Sequence, residues 1–140
     1  MRDPKIGYTI GVWDLFHHGH RAMLLHCLER CDLLLVGVVD DYHVMMQKGL
    51  GRPVDPLSVR MDQVRRVSPS IRPVEARSLL ISQDLYDAID VIYAGPDQLD
   101  RFWKVNNPAG KPVVVVPRTP GVSTTELIEG RCSTEAAETD

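Results

Sequence analysis

Seven consecutive apolar residues, Leu33-Leu34-Leu35-Val36-Gly37-Val38-Val39, stand between Asp32 and Asp40. A run this short and without polar alternation reads as a strand covered on both faces. Helices crossing between parallel strands create that environment, which constrains the chain to an α/β arrangement. The flanking segments agree. Lys5 to Ile10 alternates through Ile6, Tyr8 and Ile10 and predicts a first strand ending at Gly11. From Gly19 to Arg30 the apolar residues Ala22, Met23, Leu24, Leu25, Cys27 and Leu28 include the i, i+3 and i+4 spacings of an amphipathic helix. A polar stretch from Asp40 to Pro56 leads into a helix over about Pro56 to Val67. Ile71 to Val74 reads as a short strand, weakened by Pro69 and Pro73. A helix over Ile81 to Ala88, a strand over Asp90 to Gly95, a helix over Gln98 to Lys104 and a valine-rich strand within Pro112 to Pro117 complete the alternation. The expected fold is α/β, a Rossmann-like open parallel sheet with helices on both faces. One domain spans 1–130, and 131–140 form a short polar tail.

The length of 140 residues suits a single core. A formal net charge of -3 supplies no general field for a nucleic acid or an anionic membrane surface, so phosphate must be bound by local groups. The longest apolar runs are far below the ~20 residues that span a bilayer. The mixed-charge start Met1-Arg2-Asp3-Pro4-Lys5 resembles no secretory or transit signal. A cytoplasmic protein is expected, with neither nucleic acid nor membrane as partner. Cys27, Cys31 and Cys132 cannot all pair. Cys27 and Cys31, four apart on the expected first helix, are read as packed thiols over a metal pair.

In an open α/β sheet, ligands sit beyond the carboxyl ends of the strands. The first such loop here is Gly11-Val12-Trp13-Asp14-Leu15-Phe16-His17-His18-Gly19-His20, which holds three of the chain's 5 histidines. Gly19 allows close backbone approach or a positive φ, and the following helix offers unpaired N–H groups to an anion. Three readings compete: a His-x-x-His metal pair, histidines that cap the helix, and imidazoles that bind phosphate. The third is favoured, because no cysteine or acid has supporting metal-ligand spacing.

This loop resembles the His-x-Gly-His motif of the cytidylyltransferase family of nucleotidyltransferases. Its wording is similar to that of the choline-, ethanolamine- and glycerol-phosphate enzymes. A distant segment, Arg118-Thr119-Pro120-Gly121-Val122-Ser123-Thr124-Thr125, is similar to a second motif of the same family. Val36 to Asp41, Lys48-Gly49, Arg60 and Asp90 to Asp97 also look like family segments, and the resemblance covers roughly residues 5 to 129.

The resemblance implies transfer of CMP from CTP to a small phosphorylated or phosphonate acceptor, with release of pyrophosphate. It implies that His17, His20, Lys48 and Arg118 are catalytic. Gly11, Val12, Trp13, Gly19, Asp97, Thr119, Ser123 and Thr124 would bind nucleotide, with Ser123 and Thr124 in the N-cap region of a helix through Ile128. Asp14, Asp41 and Arg60 are weaker candidates for the acceptor, and the alternative place for Arg60 is an exposed helix face. Mg²⁺ would accompany the triphosphate with no direct protein ligand. Pro96 departs from the family's usual Gly-Asp-Asp pattern. For a quaternary ammonium acceptor, Trp13, Tyr42, Trp103 and Asp41 are candidate surroundings. Relatives are commonly homodimers joined near the histidine-motif helix and the Arg118 loop, so a homodimer is expected. Two alternatives stand: an adenylyltransferase using ATP with FMN or a similar acceptor, and a nucleotide-binding module without turnover.

Overall fold

A computed structural model describes residues 4–77, 81–95 and 107–116 of the protein. Five strands form one parallel sheet: β1 (Ile6–Gly11), β2 (Leu33–Val39), β3 (Ile71–Ala76), β4 (Val91–Ala94) and β5 (Val113–Val115). Their order is β3-β2-β1-β4-β5. The helices are α1 (His18–Leu28), α2 (Asp41–Lys48), α3 (Leu57–Arg65) and α4 (Gln83–Ala88). The chain builds outward from β1 to β3, then returns to the other side of β1. Crossovers of constant hand, reversed in direction, place helices on opposite faces.

Two apolar clusters record those faces. Leu24 and Cys27 of α1 and Val64 of α3 pack with Leu34, Val36 and Val38. On the opposite face, Val44 of α2 and Tyr86 of α4 pack with Tyr8, Ile10, Val39 and Ile92. β2 sends side chains into both clusters, as its continuous apolar run requires. The Rossmann-like layout with helices on both faces is therefore the fold of the chain. Gly37 interrupts the run because the Tyr8 hydroxyl occupies the space a Cβ would need.

Several local expectations change. The strand at Ile71 forms and extends to Ala76 despite Pro73. Among the described residues β3 lies at the sheet edge and pairs only with β2, opposing Val36 to Pro73, and an edge tolerates a missing N–H. The polar stretch after Asp40 contains a helix that its pattern does not announce. Asp40 caps α2 by accepting from the His43 N–H at 2.8 Å, and only Val44 of the helix is buried. Lys48 consequently ends a helix instead of standing on a loop. Cys31 lies beyond the α1 C-cap, Glu29, and not on the helix with Cys27. Burial raises the Cys27 thiol to about 12 and also raises Cys31. Among the described residues, no helix is long and apolar enough to cross a membrane. The expected helices at Gln98 to Lys104 and through Ile128, and the tail 131–140, lie outside the described residues.

Candidate active site

β1 pairs with β2 from Ile6↔Leu33 to Gly11↔Val38, but with β4 only at Gly7↔Val91 and Tyr8↔Ile92. The sheet opens toward its carboxyl edge at this point, where strand order reverses, and the histidine loop emerges there. Trp13 and Leu15 take positive φ of 59° and 50°. Trp13 is 1% exposed, and its indole N–H donates to the Gly37 carbonyl at 3.0 Å. That ring lies against Gly11, where a Cβ would stand 3.0 Å from it. Trp13 therefore has only its main chain to offer a nucleotide, and it is no aromatic platform for a quaternary ammonium. Tyr42, by contrast, is 61% exposed.

Gly19 does not take the positive φ allowed for it, because it belongs to the first turn of α1. Its N–H donates to Nδ1 of His17, the N-cap, at 3.1 Å. In return, the His17 N–H donates to Nδ1 of His20 at 3.2 Å. Two imidazoles thus build the reciprocal cap that Ser/Thr and Glu/Gln ordinarily make. Capping engages Nδ1 of each ring, so the capping and phosphate-binding readings do not compete for the same atom.

A ring nitrogen that accepts a hydrogen bond carries no proton, so the neutral form of each histidine bears its hydrogen on Nε2. The rings stack at 3.8 Å between centroids, and Phe16 stacks on His20 at 5.2 Å. Burial, followed by the charge of His18, lowers His17 to about 4. Burial, then His17, then Lys48 lower His20 to about 3. Both rings are therefore neutral N–H donors at pH 7. Lys48, at the end of α2, is among the charges that lower His20.

Two carboxylates expected near the acceptor are drawn into the scaffold. Asp14 is fully buried and accepts from the N–H groups of Leu15, Val54 and Asp55 at 3.1, 2.8 and 2.9 Å. It ties the histidine loop to the connection between α2 and α3. Asp41 lies 2.5 Å from Nη2 of Arg60.

The exposed face considered for Arg60 is corrected, because this side chain is fully buried. Nη1 donates to the carbonyls of Val12 and Val39 at 2.8 and 2.7 Å, and Nε to that of Asp55 at 2.9 Å. The guanidinium thereby joins the ends of β1 and β2, the approach to α3 and, through Asp41, the start of α2.

Because both Nδ1 atoms accept from the backbone of α1, the N–H groups of these rings are donors of the kind that suit an anion. Among the described residues, no group of three or more His, Cys, Asp or Glu stands together to hold a metal ion. The imidazole N–H groups suit phosphate oxygens, on which an ion such as Mg²⁺ could be carried. Asp97, Arg118, Thr119, Ser123, Thr124 and Trp103 lie outside the described residues.

Sequence reasoning missed Arg52, whose Nε stands 3.7 Å from the Asp14 carboxylate. It also missed His43, whose Nδ1 lies 2.8 and 2.9 Å from the two oxygens of Asp40. His43 and Tyr8 line a cleft of about 430 Å³ with Arg77 and Ser82, at the carboxyl end of β3. An i, i+3 Asp/His spacing was visible in the sequence, but the unrecognised helix deprived it of meaning.

A family model described as "Cytidylyltransferase-like" matches residues 8–130. The bifunctional protein HldE of Gluconacetobacter diazotrophicus is 34% identical over 132 residues, covering 89% of this chain and 26% of its own length. The ethanolamine-phosphate cytidylyltransferase of Arabidopsis thaliana is 32% identical over 139 residues, covering 91% of this chain and 32% of its own. The chain thus spans about a quarter to a third of these relatives' length. A lipopolysaccharide core biosynthesis protein from Thermoplasma volcanium shares the fold at a TM-score of 0.62 and 20% identity, over 84% of this chain and 98% of its own.

Proposed function

We propose that this chain, which belongs to the cytidylyltransferase-like family of nucleotidyltransferases, transfers CMP from CTP to a small phosphorylated or phosphonate acceptor. The observation that carries the proposal is the imidazole cap: both Nδ1 atoms are committed to the backbone, so each neutral ring presents an Nε2 hydrogen at a helix start. That arrangement supports binding of a polyphosphate at the carboxyl edge of the sheet.

In the proposed reaction an acceptor oxygen bonds to the α-phosphorus of CTP while the bond from that phosphorus to the bridging oxygen breaks, and pyrophosphate departs with the electron pair. His17 and His20 donate hydrogen bonds to phosphate oxygens as charge builds on them, with no proton transferred. Lys48 adds a flexible positive charge beside His20. Arg118, Ser123 and Thr124 complete the proposed polyphosphate contacts, and Gly11, Val12 and Gly19 contribute main-chain contacts. Mg²⁺ carried on CTP would supply neutralisation of triphosphate charge. Asp14 and Arg60 act on the reaction by fixing the loops that carry these groups. We further propose a cytoplasmic homodimer, for which light scattering should give twice the mass of 15.7 kDa.

The test is a product screen by mass spectrometry with CTP or ATP, Mg²⁺ and a panel containing ethanolamine phosphate, glycerol 3-phosphate, sugar 1-phosphates and a phosphonate. A CMP-linked product with pyrophosphate is expected. Preference for ATP with every acceptor overturns the choice of CTP. Tight CTP binding without any product would favour the binding module instead.

A further inference from the structure

We infer that Arg52 grips the phosphoryl oxygens of the acceptor, as a second cation on the connection that follows Lys48. The inference rests on the transferase reading and adds to it a residue that neither sequence motif contains.

Arg52 and Arg60 both reach this carboxyl edge, and they differ in what they bind. Arg60 spends its fork on three carbonyls and Asp41. The Arg52 side chain is 17% exposed, yet its Nε and Nη2 are buried and have no hydrogen-bond acceptor among the described residues. Asp14 stands 3.7 Å from Nε, near enough to balance charge but beyond hydrogen-bond reach. Asp14 also accepts three main-chain N–H groups, including those of Val54 and Asp55 just after Arg52. A buried guanidinium with charge compensation and idle N–H donors is costly unless oxygens meet it. Two adjacent N–H groups match two oxygens of a phosphate or phosphonate.

The location selects the acceptor. Asp14 holds residues 54 and 55 against the histidine loop, so the segment carrying Arg52 is tied to that loop at the carboxyl edge of the sheet. Gly49 and Gly51, at φ of 103° and 87°, turn the backbone between Lys48 and Arg52 in a way other residues resist. The α1 start and its two imidazoles supply donors to the triphosphate. The incoming acceptor brings a second anion against the α-phosphate and needs a cation of its own to approach within attack distance. Arg52 supplies it.

The test compares the full-length protein with its R52Q and R52K variants. With the acceptor found in the product screen, R52Q should raise the acceptor KM by about 10- to 100-fold while the KM for CTP stays within twofold, as loss of a charged hydrogen bond implies. R52K should recover part of the loss, because it keeps the charge without the fork. An unchanged acceptor KM, or an equal or larger rise in the KM for CTP, overturns the inference. Titration calorimetry with inorganic phosphate gives a readout independent of turnover: folded R52Q should bind it at least tenfold more weakly than the wild type. Equal binding by the two proteins, or none by the wild type, also overturns it. If the wild type makes no product with any acceptor, the transferase reading fails by itself and calorimetry still decides the role of Arg52. If R52Q does not fold, R52K carries both measurements, and wild-type values for it refute the assignment.

Discussion

Replacing His20 by Gln separates the structural and chemical duties of the imidazole cap. His20 occupies the third position of α1, where Gln is an ordinary partner in a reciprocal cap, so its carbonyl can replace Nδ1 as acceptor of the His17 N–H. Stability of H20Q near pH 8 should stay within about 1 kcal/mol of wild type, the scale of a capping interaction. Its dependence on pH should differ. His20 is 4% exposed and falls from 6.5 to about 3, chiefly through burial, so between those values the unfolded chain takes up a proton that the native ring refuses. Acid therefore favours unfolding. The stability associated with the neutral ring is complete above pH 6.5 and is lost progressively as pH falls toward 3. At about 1.4 kcal/mol per pH unit per proton, the wild type should lose about 2–3 kcal/mol through His20 between pH 8 and pH 4.5. H20Q should lack that component. Urea denaturation at the two pH values measures it, while turnover of H20Q should fall by about 10²–10³-fold through loss of one phosphate donor. Equal acid sensitivity in the two proteins, or undiminished turnover in H20Q, would refute the reasoning.

Arg60→Met should destabilise the protein by about 3–5 kcal/mol in urea, because three carbonyls lose their donor and the methionine cannot replace it. Gly37→Ala should cost about 1–3 kcal/mol by the same assay, since the new methyl group meets the Tyr8 hydroxyl across the sheet. Lys48→Gln should lower turnover at least tenfold with little change in melting temperature; Lys48 ends α2, and its charge reaches His20. Unaltered kinetics in that variant would remove Lys48 from the proposed chemistry.

The strands and helices that announced themselves did so through short-range patterns. The Leu33 to Val39 run matches β2, and the apolar spacing after Gly19 matches most of α1. α2 escaped because Val44 is its only buried residue, too little to set a period. The histidine loop was visible as a motif, yet which ring nitrogen remains for a ligand was not, since that depends on hydrogen bonds formed only when α1 begins at His18. Arg52 was passed over because an arginine between two glycines and a proline looks like surface turn chemistry.

By itself the amino-acid sequence determined the alternation of elements, the sheet they imply and the family that the two motifs mark. Those are properties of neighbouring residues, since strand and helix periods repeat within a few positions. Tertiary structure alone decided that Arg60 is interior, that Asp14 is a tether and that Arg52 retains unengaged donors. The Arg60 bond to Val12 spans 48 positions, and the Asp14 bond to Val54 spans 40. Whether a charge is solvated, paired or held ready for a ligand depends on which remote segments close around it, and no local pattern encodes that enclosure.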